Sequence, residues 1–128
     1  MKTLNVVAAV IEDKGKILIA QRKKGDLKGL WEFPGGKIEE GETLSQALIR
    51  EIMEEFSTRI KIKSFLKTIE HQYEDFYLVM DCYICEIEEG QLLLHDHSAY
   101  RWITPDETDI DWVEADKKVI AAYRQKIS

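Results

Sequence analysis

The stretch that decides the fold reads Gly36-Lys37-Ile38-Glu39-Glu40-Gly41-Glu42-Thr43-Leu44-Ser45-Gln46-Ala47-Leu48-Ile49-Arg50-Glu51-Ile52-Met53-Glu54-Glu55-Phe56. Thr43-Leu44-Ser45-Gln46 has the form of a capping box, in which the Thr hydroxyl accepts from a free backbone N–H and the Gln side chain reaches back. A helix is therefore expected from Leu44. Leu44, Leu48, Ile52 and Phe56 recur every four residues with Ala47 beside them, so the helix runs to about Phe56 and its apolar stripe must pack on a sheet. With Leu44 at zero and about 100° per residue, Glu51 falls at roughly 340°, Glu55 at roughly 20° and Glu54 at roughly 280°, against an apolar arc from roughly 300° to roughly 120°. Glu51 and Glu55 point toward the packed side, and Gln46, Arg50 and Met53 take the opposite one. A solvated acidic face does not explain this placement. Carboxylates crowded at a buried edge repel one another and lose hydration, so they take up protons or bind cations. A hard divalent ion such as Mg2+ meets that need, because it prefers oxygen ligands and bridges carboxylates to phosphates. Glu42, just ahead of the cap, can bring a further carboxylate.

Working outward, Leu4 to Ile11 and Lys16 to Gln21 read as two antiparallel strands joined by the turn Glu12-Asp13-Lys14-Gly15. From Arg22 to Gly41 periodicity lapses and glycines cluster around Pro34; loops of this length inside a domain usually carry function. Adjacent glycines at Gly35 and Gly36 let backbone approach a ligand closely. After the helix, Ile60 to Ile69 and Phe76 to Ile87 read as strands joined through Tyr73-Glu74-Asp75. Leu92 to Leu94 and Ala99 to Ile103 are expected as short strands flanking the His95-Asp96-His97-Ser98 loop. Pro105 starts a turn or short helix, and Trp112 to Ile127 reads as a C-terminal helix burying Val113, Val119, Ile120 and Tyr123. This order predicts an α+β fold, an α/β/α sandwich with a mixed sheet between helices.

The 128 residues suit a single domain spanning 1–128, and 45% hydrophobic residues supply its core. The net charge of -6 argues against a non-specific grip on nucleic acid or anionic lipid. The early apolar run Val6 to Ile11 is too short for a signal segment or membrane span. Cys82 and Cys85 stand three apart on an expected strand, so they face opposite sides and form neither a disulfide nor a shared metal site. Two reduced thiols point to a cytoplasmic protein. His95 and His97 lack the third ligand that a transition metal would need.

The run from Gly36 to Phe56 resembles the Nudix box, G-x5-E-x7-R-E-U-x-E-E-x-G-U with U aliphatic, at Gly36, Glu42, Arg50, Glu51, Ile52, Glu54 and Glu55. Gly29-Leu30-Trp31-Glu32-Phe33-Pro34-Gly35, Tyr83, the Trp102 segment and Trp112 to Asp116 are similar to the MutT-like branch of that family. Two positions depart from the box. Ser57 stands where the final glycine belongs and Thr58 where an aliphatic residue follows, and Ser in a left-handed helix end costs on the order of 1 kcal/mol.

The resemblance implies a Nudix fold and a Mg2+-dependent hydrolase, with Mn2+ as a substitute ion. Its MutT-like branch implies cleavage of a (deoxy)nucleoside triphosphate to the monophosphate and pyrophosphate, with oxidised or modified nucleotides such as 8-oxo-dGTP or modified dCTP and CTP as substrates. By the same resemblance Glu51, Glu54, Glu55 and the Gly36 carbonyl hold metal, Arg50 orients the carboxylates, and Glu42 completes their network. The general base is Glu51 or, from a distant loop, Asp96, which is one methylene shorter than the Glu of relatives. Arg22 is expected on substrate phosphates, Phe33 either on the nucleobase or in the core, and Asp116 at the base edge, where an ionised carboxylate offers only acceptors. A monomer or homodimer is expected. The alternatives are hydrolysis of a nucleotide sugar or dinucleotide, and a binding module without turnover.

Overall fold

The computed structural model describes residues 1–128. Strands β1 (Lys2–Asp13) and β2 (Lys16–Arg22) form the expected hairpin through Lys14 and Gly15, whose φ values of 51° and 80° suit the two-residue turn that matches strand twist. Two more strands, β3 (Trp31–Glu32) and β4 (Gly35–Lys37), interrupt the segment expected as a continuous loop. Helix α1 (Leu44–Phe56) follows, then β5 (Thr58–Gln72), β6 (Phe76–Gly90), β7 (His97–Ile103) and α2 (Glu114–Ile127).

β1 lies at the centre. It runs parallel to β6 from Lys2↔Phe76 to Ile11↔Cys85, and β5 pairs antiparallel with β6 on the outer edge. On its other side β1 pairs antiparallel with β4 through Val6↔Lys37 to Ala8↔Gly35, and with β2 at the hairpin end. β2 in turn carries β3 and β7, both antiparallel. The sheet is mixed, as expected.

Period-two alternation along β1 and β2 divides the core in two. Val7, Ala9 and Ile11 with Leu18 and Ala20 pack against Leu48, Ile52 and Phe56 of α1. Ala8 and Val10 with Ile17 and Ile19 pack against Ala115, Val119, Ile120 and Tyr123 of α2. One helix on each face makes the α/β/α sandwich. Each fully buried Leu, Ile or Phe contributes roughly 1.5–3 kcal/mol, so the stripe read from the sequence anchors α1. Cys82 and Cys85 obey the same parity: both are free and buried, and they belong to opposite layers.

Two local expectations are corrected, and one alternative is decided. Leu92 to Leu94 joins no strand; the Leu93 N–H instead donates to the Phe56 carbonyl at the end of α1. Pro105 and Asp106 make a turn, without a short helix. α2 starts at Glu114, because Trp112 bridges to Trp31 and Val113 still has extended backbone (φ -58°, ψ 136°). No helix is long and apolar enough to cross a membrane.

Candidate active site

The capping box forms as read: the Gln46 N–H donates to Thr43 Oγ1 at 3.1 Å and Thr43 N–H to Gln46 Oε1 at 2.9 Å. This fixes the phase of α1 and hence of its carboxylates. Glu55 is buried and half-buried Glu51 lies along the same edge, while Glu54 is exposed, as the helical geometry predicted. Arg50 does not extend into solvent on the far side. Its Nε donates to Glu42 Oε2 at 2.6 Å and its Nη2 to Glu42 Oε1 and the Lys37 carbonyl at 3.0 Å each, while Nη1 donates to Glu51 at 2.8 Å and Glu54 at 3.0 Å. Arg50 thereby ties the box loop to the helix and holds Glu42 below the usual carboxylate range.

The carboxylates are short of countercharge on their inner side. Burial, with the charges of Glu51 and Glu32 close by, pushes Glu55 up to about 9 although the Gly35 N–H donates to its Oε1 at 3.3 Å. Burial also raises Glu51 despite Arg50. Gly36 is cut to fit this edge, since a Cβ there would stand 2.2 Å from Glu51 Oε2. No three Asp, Glu, His or Cys side chains converge as metal ligands in this conformation, because Glu51 and Glu54 are turned onto Arg50. The donors nevertheless fit a hard divalent ion: all are oxygens, Gly36 lets the Glu51 carboxylate come against its backbone, Glu55 is desolvated, and Glu54 is exposed and held only by its surface pair with Arg50.

Two cavities meet at Glu55; Gly36 lines the larger, and Glu51 and Glu54 line neither. The larger, about 480 Å3, is lined by apolar residues of β1, β6 and the β5–β6 turn, among them Leu4, Tyr73 and Met80, together with Phe33 and Asp116. The smaller, about 220 Å3, has no apolar lining and presents Arg22, Lys23, Lys24, Asp96 and His97. Arg22, Glu32 and Glu55 belong to both. Phe33 is 3% exposed and stacks on Trp112 with ring centroids 5.2 Å apart, so it is core that also walls the cavity. Asp116 is 5% exposed and accepts the Phe33 N–H at 2.8 Å. Burial, reinforced by the charge of Glu32, raises its pKa well above the ordinary carboxylate range.

Glu32, His97 and Tyr73 escaped the reading of the sequence. Glu32 bridges Arg22 Nη1 (3.1 Å) to His97 Nε2 (2.9 Å), and the Tyr73 hydroxyl accepts the Ala115 N–H at 3.0 Å. These partnerships span 10, 65 and 42 positions of sequence and left no local signal, although Glu32 lies inside the Trp31 to Pro34 run. Ser57 ends α1 in the left-handed conformation that the box glycine would occupy (φ 52°, ψ 38°), with its N–H donating to the Met53 carbonyl. The departure therefore leaves the helix end in place. Thr58 is fully buried, and its hydroxyl is satisfied by the Phe56 carbonyl at 3.0 Å.

The model of the NUDIX domain matches residues 1–123. The chain belongs to the Nudix family. It is 40% identical over 110 residues to the CTP pyrophosphohydrolase of Escherichia coli (strain K12), covering 84% of this chain and 80% of that one. It is 40% identical over 85 residues to the 8-oxo-dGTP diphosphatase of Proteus vulgaris, covering 65% of this chain and 76% of that one. Among solved structures, that of the E. coli ORF135 protein superposes with a TM-score of 0.87 at 33% identity, covering 100% of this chain and 93% of the other. The MutT Nudix hydrolase of Burkholderia pseudomallei matches in fold, with a TM-score of 0.87 at 24% identity over 95% of this chain and 98% of its own.

Proposed function

We propose that this Nudix protein is a Mg2+-dependent (deoxy)nucleoside triphosphate pyrophosphohydrolase acting on CTP-like and oxidised or modified nucleotides. The observation that carries this reading is the meeting, at Glu55, of a base-sized apolar cavity and a polar hollow in which Arg22, Lys23 and Lys24 stand among the carboxyl groups of Glu32, Glu55 and Asp96. A triphosphate laid across that junction places its base near Asp116 and its phosphates near Arg22, with the anhydride beside the α1 carboxylates. The names of the E. coli and P. vulgaris relatives support the same substrate class.

Glu51, Glu54, Glu55 and the Gly36 carbonyl are the groups we assign to Mg2+, or to Mn2+ in its place. When bound, the ion neutralises phosphate charge and eases formation of a nucleophile from water. Two carboxylates reach the site from different elements and can take the proton from the attacking water: Glu51 from α1 and Asp96 from the loop before β7. Water adds at phosphorus as the anhydride breaks, giving nucleoside monophosphate, pyrophosphate and a proton. Arg50 keeps the carboxylates in register, and Glu42 holds Arg50. The Asp116 carboxyl discriminates by protonation. Burial favours its neutral form, in which it would donate and accept, as suits N3 and the amino group of cytosine; ionised, it would suit two adjacent N–H donors, as on a guanine edge.

Residues 1–128 act here as one catalytic domain, in a cytoplasmic monomer or homodimer. The test is product release from CTP, 8-oxo-dGTP and the unmodified triphosphates, with Mg2+ and with chelator. Metal-dependent pyrophosphate is expected. Turnover of ADP-ribose or a dinucleotide with every triphosphate left intact would overturn the assignment.

A further inference from the structure

Asp96 is exposed and sits between two histidines that are anchored in different directions. On one side, His95 Nε2 lies 2.7 Å from Ser57 Oγ in a hydrogen bond to the residue that ends α1. The His95 N–H donates to the Glu55 carbonyl at 3.2 Å and the Leu93 N–H to that of Phe56 at 3.0 Å, so this segment satisfies carbonyls that the end of a helix leaves open. On the other side, His97 is 5% exposed, its Nε2 is 2.9 Å from Glu32 Oε2, and its ring stacks on Phe56 with centroids 5.5 Å apart. Asp96 and Glu55 line the same hollow.

A glycine would adopt φ 52° at position 57 without strain, yet it has no hydroxyl for His95. We infer that Ser57 and His95 are positioning residues, a latch that fastens the Asp96 loop to the end of α1 and so holds the Asp96 carboxylate beside Glu55. The backbone strain at Ser57 is retained for the contact that its side chain makes. His97 and Glu32 hold the far end of the same loop from β3, which leaves Asp96 little freedom except at its own side chain. This inference rests on the reading that Asp96 faces the reacting water.

The test compares the full chain with Ser57→Gly, His95→Ala, the double variant and Asp96→Asn. Hydrogen–deuterium exchange over residues 92–98, without metal or nucleotide, is expected to quicken by about tenfold in Ser57→Gly and His95→Ala, since local opening limits exchange there. With CTP and 8-oxo-dGTP in Mg2+, kcat is expected to fall by about five- to twentyfold with KM within about twofold, and the double variant to be no worse than either single one, as for two partners in one contact. Ser57→Gly is expected to melt no lower than the parent, which separates loss of the latch from loss of the fold. Unchanged exchange would remove the latch, and faster exchange with unchanged kcat would remove its role in positioning. Asp96→Asn at the parental rate would instead remove Asp96 from the chemistry, an outcome that the exchange measurement distinguishes from absence of the latch.

Discussion

The backbone N–H of Phe33 donates to Oδ2 of Asp116 at 2.8 Å, joining the loop before β4 to the first turn of α2 across 83 positions of sequence. That bond is paid for by desolvation. Burial and the charge of Glu32 raise the Asp116 pKa well above its ordinary value, against the lowering effect of the Phe33 N–H and Arg22. A folded-state pKa above the unfolded one gives stability that is complete below about pH 4 and lost as pH rises through the folded value. Asp116→Asn keeps an acceptor for Phe33 and has no proton to lose. Its melting temperature is expected to exceed that of the parent by a margin that widens from pH 4 to pH 8. Thermal melts at stepped pH check this, and a margin that stays constant or shrinks would refute it.

Gly35 and Gly36 are neighbours that should respond oppositely to a methyl group. At Gly35 a Cβ would stand 1.9 Å from the Val7 carbonyl oxygen, on the backbone of the central strand, which cannot yield. Gly35→Ala should destabilise the fold by about 1–3 kcal/mol or more, as overpacking does. At Gly36 the obstacle is the end of the Glu51 side chain, at 2.2 Å. Gly36→Ala should therefore fold almost normally while moving a carboxylate assigned to metal. Denaturant melts paired with Mg2+ titrations of activity separate the two, with the stability loss expected at Gly35 and the raised Mg2+ requirement at Gly36.

Glu54 offers the cleanest test of the metal assignment, because its side chain is 52% exposed and its ion pair with Arg50 lies at the surface. Such a pair contributes at most about 1 kcal/mol. Glu54→Gln is expected to melt within a few degrees of the parent and to turn over at least about a hundredfold more slowly with saturating Mg2+. A variant of near-parental rate would take Glu54 out of the site.

What could be read from the chain was what is decided locally. Thr43 and Gln46 cap α1 across three residues, and the Leu44 to Phe56 spacing sets which carboxylates turn inward, so the inward turn of Glu51 and Glu55 is legible in the sequence itself. The opposite facing of Cys82 and Cys85 followed from strand parity alone. β3 and β4 were missed because their two or three residues are strands only by virtue of their partners: Gly35 to Lys37 pair with Ala8 to Val6. Glu32 and His97 meet across 65 positions, and no spacing rule reports a pairing of that kind. The pairing of Arg50 with the carboxylates and Glu42 is implied by the family resemblance, but its bond to the Lys37 carbonyl depends on a loop path that only the folded chain defines.

Arg50 supports the last prediction. It donates to Glu42 through two nitrogens, to Glu51 and Glu54 through a third, and to the Lys37 carbonyl. A lysine retains the charge but not the planar fork, and it cannot satisfy these acceptors together. Arg50→Lys should lose about 1–3 kcal/mol, the scale of one or two hydrogen bonds to charged groups, and leave four glutamates, Glu39, Glu42, Glu51 and Glu54, with less countercharge. A divalent ion would supply part of what is missing. Added Mg2+ should therefore raise the melting temperature of Arg50→Lys more than that of the parent, whereas equal shifts in the two proteins would mean that the ion and Arg50 do not serve the same carboxylates.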